Sequence, residues 1–230
     1  HAEALPVPYT SATGFPDTEF LQVSAEMNKE RAEKLQAVFL RRIEESGLSF
    51  EWRSLESFSG DSALTGISSV RAAELIIAAQ RDTGGDPVAD IDTLGYDACR
   101  PVLIVPHAGP HATTFRRVLL AWNGSKEAAR AAFDALPFII EADKTDILVI
   151  DPPETLDETP EAAGAEIAAA LSRHGANVSV CVQKSGGTSV DDMIQSRIAE
   201  TGADLLVLGA YSHSWLRQLL FGGVTRTVLR

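Results

Sequence analysis

The residues between Gly209 and Thr225 have types and spacing that could do chemistry. A short apolar run, Leu205 to Leu208, ends on Gly209. A polar loop with Ser212 and His213 follows, and Gly222 and Gly223 open onto Val224 and Thr225. Read as strand, glycine, loop, glycine pair and helix, this is an anion-binding layout. A glycine lets backbone approach a ligand closely, and the first amides of a helix lack internal partners and carry a partial positive charge. His213 and Arg217, four residues apart, could each donate to a phosphate.

Other stretches have plainer readings. Ser185-Gly186-Gly187-Thr188-Ser189 is similar to the pyrophosphate loop of ATP-dependent synthetases, but it follows a third strand and lacks the aspartate, so it reads as a cap before the next helix. His107 and His111 have zinc-ligand spacing only on a helix, and Pro106, Gly109 and Pro110 deny them one. Asp146, Asp151 and Asp204 stand at strand ends, where carboxylates cap loops. No carboxylate pair or Ser/His/Asp set points to a hydrolase. Metal ligands and catalytic residues are therefore not expected.

Composition limits the partners. The net charge of -12 repels polyphosphate backbones and argues against a nucleic-acid partner. Two distant cysteines, Cys99 and Cys181, fit a reducing compartment. No apolar run approaches the roughly 20 residues that span a bilayer, and the start has no signal-peptide pattern. These features suggest a cytoplasmic protein without membrane partners.

The elements that must hold the glycines alternate. A helix is expected from about Asp17 to Ser46, stopped by Gly47, then a half-buried strand over Leu48–Ser57 and a weak helix over Ser62–Arg71. Strands at 74–79 and 101–105 flank a short helix at 93–100, and 106–114 reads as a linker. The alternation then restarts. Strands are expected at 117–122, 145–150, 177–182 and from 205, with helices at 126–142, 160–174 and 190–201. The halves align: LSFEWRSLES (48–57) with ANVSVCVQKS (176–185), and AELIIAA (from Ala73) with ADLLVLGA (from Ala203). Alternating strands and helices mean parallel βαβ units, here as a tandem repeat. The first copy, 1–106, is expected to lack its opening elements, and the second, 115–230, its last strand.

In LLAWNGS (119–125), ADLLVLGAYSHS (203–214) and LLFGGVTRTVL (219–229) the chain resembles the universal stress proteins in their tandem two-domain form. That resemblance implies an α/β fold of two Rossmann-like domains, each an open five-stranded parallel sheet, packed as an intrachain pseudo-dimer. A homodimer is a further candidate assembly. ATP-binding members carry G-x-x-G-x9-G-[ST] after the fourth strand and an Asp after the first. Gly209 and Gly222 match the first and third glycines, Ser212 replaces the second, Gly223 replaces the hydroxyl residue, and Asn123 replaces the Asp. Thr225 or Ser212 could restore the hydroxyl. The first half has no such glycine set after ELIIAA and reads as a degenerate, structural copy.

Together these features read as a stress-response binding module holding ATP, AMP or another small anion in its second domain, with Mg2+ accompanying ATP. The cofactor-binding candidates are Asn123, Gly209, Ser212, His213, Gly222, Gly223 and Thr225. The alternatives are a slow ATPase or nucleotidyl-type synthetase, and an interaction scaffold with no working ligand site.

Overall fold

A computed structural model describes residues 2–4, 18–57, 62–79, 94–95, 97–106, 112–152 and 162–209. The chain divides into two compact units, His1–Leu103 and Ile104–Arg230.

The first unit contains β1 (Ala2–Ala4), α1 (Thr18–Ser46), β2 (Leu55–Ser57), α2 (Ser62–Val70), β3 (Ile76–Ala79) and β4 (Val102–Val105), the last cut by the division. β1 and β2 pair in parallel, and β3 pairs with β4 in a separate two-stranded sheet. Gly47, with φ +67°, follows α1 in the left-handed conformation that a helix C-terminus favours. Among the described residues, Ile67, Ile76, Leu94 and Ala98 form a buried cluster.

One expectation fails here for a clear reason. Leu48–Ser57 has the alternation of a strand, but only Leu55–Ser57 forms one. A strand exists through its ladder, and the pairs formed with β1 among the described residues are those of Leu55, Glu56 and Ser57. Phe50 and Trp52 instead meet Phe39 of α1, the first edge-on at 5.6 Å and the second tilted at 5.5 Å between centroids.

The second unit contains β5 (Arg117–Ala121), α3 (Lys126–Asp134), α4 (Leu136–Glu141), β6 (Lys144–Ile150), α5 (Ala165–Arg173), β7 (Val178–Gln183), α6 (Val190–Thr201) and β8 (Leu205–Leu208). These strands form one parallel sheet in the order β7-β6-β5-β8. The resemblance implies a five-stranded sheet, of which this copy was expected to lack the last strand, and the described residues of this unit form four strands.

Alternate strand residues bury on opposite faces. Val118, Leu120, Ile147 and Val149 join residues of α3, α4 and α5 in one cluster, while Leu119 and Leu148 meet Ile194 of α6 on the other. Parallel strands covered on both faces become continuous apolar runs, as RVLLA and TDILVI are. Burying each such Leu or Ile contributes about 1.5–3 kcal/mol before entropy is counted.

The single helix expected over 126–142 is two. Pro137 has no N–H to donate and its ring opposes a preceding carbonyl, so α3 ends at Asp134. Pro137 is instead accommodated in the first turn of α4. No helix among the described residues is long and apolar enough to cross a membrane.

Candidate functional site

The sheet order creates a crevice. From β5 the chain moves to β6 on one side, while β8 lies on the other, so the strand order reverses between β5 and β8. Open parallel sheets bind ligands at the carboxyl ends of strands at such a switch point. Ala121 and Leu208 are register partners there, and Asn123 and Gly209 leave the sheet just beyond them.

The turn after β5 is built by its own side chains. The Trp122 amide donates to the Leu148 carbonyl at 2.9 Å, extending the ladder by one residue. Asn123 Oδ1 then accepts from the Ser125 amide at 3.1 Å, and Gly124 takes φ +71°. This Asx turn reverses the chain into α3. Ser125 caps the helix, its Oγ accepting from the Ala128 amide at 3.1 Å. The Asn123 carbonyl oxygen thus performs the turn-forming part of a carboxylate's job without its charge.

Gly209 is pressed against this helix start. A Cβ at Gly209 would stand 2.6 Å from the amide nitrogen of Ala128 and 2.6 Å from the carbonyl carbon of Glu127. Packing of β8's end on the first turn of α3 therefore requires glycine, independently of any ligand. The sequence pointed to the residue but attributed it to ligand approach alone. Asn123 and Gly209 are brought to one end of the sheet, whereas Ser212, His213, Gly222, Gly223 and Thr225 lie outside the described residues, as does Arg217.

The Ser185–Ser189 loop is a helix cap, as its sequence suggested. Ser189 Oγ accepts from the Asp192 amide at 3.1 Å and donates to the Asp192 carboxylate at 2.7 Å, while Gly186 and Gly187 take positive φ. Asp151 ties the loop to β6, its carboxylate accepting from the Ser185 amide at 2.9 Å, and these Ser185 contacts hold its pKa below the usual range. Asp204 likewise caps a strand start, accepting from the Arg116 and Arg117 amides at 2.9 Å each.

Asp146 departs from its loop-capping expectation. It is buried on β6, where one carboxylate oxygen accepts from Ser179 Oγ at 2.5 Å and lies 3.0 Å from Lys144 Nζ and 3.6 Å from Arg197. Burial alone would raise its pKa. The Ser179 hydrogen bond, Lys144 and the Arg197 charge outweigh it, so the carboxyl titrates below its ordinary value. Sequence reasoning missed this cluster because Ser179 and Arg197 are 33 and 51 residues from Asp146, with no local pattern linking them. His107 and His111 lie outside the described residues, among which no group of three or more His, Cys, Asp or Glu could hold a metal ion.

A doubly wound parallel sheet with a capped turn and a required glycine at its switch point defines a Rossmann-like α/β domain. The universal stress protein family model matches residues 114–230, just over half of the chain. The chain belongs to the universal stress protein family.

Among solved structures, a universal stress protein family member from Burkholderia pseudomallei is 20% identical, with 44% of this chain and 86% of that one covered and a TM-score of 0.35. The protein Rv1636 from Mycobacterium tuberculosis H37Rv is 24% identical, covering 49% and 85%, with a TM-score of 0.32. A universal stress protein in complex with cAMP is 20% identical, covering 50% and 90%, with a TM-score of 0.37. No curated protein matches the chain.

Proposed function

We propose that the second unit is a binding module that holds an adenine nucleotide, ATP or AMP, in the crevice between β5 and β8, with Mg2+ accompanying ATP. The observation that carries this reading is the convergence of Asn123 and Gly209 at the switch point, against the start of α3. In sequence, Gly222 follows at the spacing of the family's ATP-binding members, with Thr225 as the nearest hydroxyl. In this reading Asn123 contacts the adenosine part through neutral hydrogen bonds, and Gly209, Ser212, Gly222 and Gly223 let the backbone approach the phosphates. His213 and Thr225 donate to them. Catalysis is not part of the reading, and a slow ATPase is its alternative. The stress response is the setting that family membership gives it.

Isothermal calorimetry with ATP, AMP and cyclic AMP, with and without Mg2+, tests the reading. Binding of ATP or AMP at about 100 μM or tighter, or about 5.5 kcal/mol, supports it. Asn123→Asp should strengthen the adenosine contact, while Gly222→Val should abolish binding. Absence of heat with every nucleotide would leave the scaffold alternative standing.

A further inference from the structure

We propose that the second unit pairs with a second copy of this chain through the outer edge of β7, the two β7 strands running antiparallel about a two-fold axis at Val180. The ladder shows which backbone groups of β7 face outwards. The Thr145 amide donates to the Asn177 carbonyl at 2.9 Å, and the Asp151 amide to the Gln183 carbonyl at 3.0 Å. In a parallel ladder alternate residues of a strand bond to the same neighbour, so Asn177, Ser179, Cys181 and Gln183 address β6. Val178, Val180 and Val182 turn their N–H and C=O groups the other way. β7 ends the sheet order, and among the described residues no strand lies beyond it.

Solvent reaches this edge. Val180 is 37% exposed, whereas Ile147, its register partner on β6, is 0% exposed. Native proteins blunt an open edge with charge, proline or a bulge. In a chain of net charge -12, the stretch Asn177–Gln183 contains no charged residue and no proline. Its register with β6 runs without a break from Val178 to Gln183, so there is no bulge either. An edge with none of these devices is a template for another strand.

The sequence of the edge selects a second copy as the occupant. A two-fold contact brings a strand antiparallel against itself, and any charge near the axis then meets its own kind. The neutral stretch 177–183 carries no such penalty. Centred on Val180, the pairing sets Val180 opposite Val180 of the second copy and Val178 opposite its Val182. All three outward-facing residues then fall in hydrogen-bonded pairs, which exchange about six backbone hydrogen bonds in all. These pairs are valine against valine on one face, the β-branched match that cross-strand packing favours. Ser179 and Cys181 alternate between them on the other face.

The test is sedimentation velocity of the full chain over a concentration series, with amide exchange read residue by residue in the same samples. Expected are a monomer–dimer equilibrium and, in the dimer, about tenfold slower exchange at Val178, Val180 and Val182. Ser179, Cys181 and Gln183, already bonded to β6, should be protected at every concentration. Val180→Lys sets like charges on the axis, and Val180→Pro removes an outward amide that the β6 ladder does not use. Each should abolish the dimer while Ser179 and Cys181 stay protected, and Val180→Lys decides where Val180→Pro disturbs the fold. A monomer throughout, a dimer in which the three valine amides exchange as in the monomer, a dimer that survives Val180→Lys, or head-to-tail polymers through β7 and β8 would each overturn the proposal.

Discussion

A side chain on Gly209 would run into the backbone of Ala128, since a Cβ there would lie 2.6 Å from the Ala128 amide nitrogen. The end of β8 and the start of α3 therefore touch as backbone against backbone. Gly209→Ala should cost about 1–3 kcal/mol, the range for overpacking a tight site. Urea denaturation measures it. A variant as stable as wild type would mean that the contact relaxes freely.

Ser189 should act through stability alone. Ser189→Ala removes the cap on Asp192 and should lower stability by about 1 kcal/mol. Calorimetry with ATP should be unchanged. Lost binding would mean that the Ser185–Ser189 loop, rather than the β5–β8 crevice, holds phosphate.

Asp146 should be among the costliest polar positions to change. Asp146→Ala leaves Lys144, Ser179 and Arg197 without their shared acceptor. Removing one member of a well-buried pair costs about 3–5 kcal/mol. Lys144 is half exposed and Arg197 also reaches Glu200, so about 2 kcal/mol is expected in thermal or urea unfolding.

Acid should expose the same cluster. The folded-state pKa of Asp146 is lowered, so its contribution is complete above the unfolded value, about 4, and is lost as pH falls through the folded value. Wild type should therefore lose more stability than Asp146→Asn between roughly pH 5 and the lower end of that titration. Parallel pH profiles for the two proteins would contradict the sign.

Sequence patterns revealed elements whose determinants are local and missed those that depend on distant partners. The runs RVLLA and TDILVI announced buried parallel strands, and Gly202, with φ +64°, ends α6 where expected. The alternation of 48–57 described a strand's faces, but pairing was needed to realise it. Pro137 was visible in the sequence, yet the alanines around it suggested one helix where the missing N–H makes two. Gly209 was legible as a residue, whereas its contact with α3 belongs to the sheet order. The Asp146 cluster joins two strands and a helix through side chains alone.

Amide shifts during a titration with AMP test the central claim most directly. With 15N-labelled protein, shifts are expected at Asn123, Ser125, Lys126, Glu127 and Gly209 and to saturate with one Kd, while Gly186 and Gly187 stay still. No shift at the β5–β8 crevice, or shifts confined to 185–189, would contradict the account.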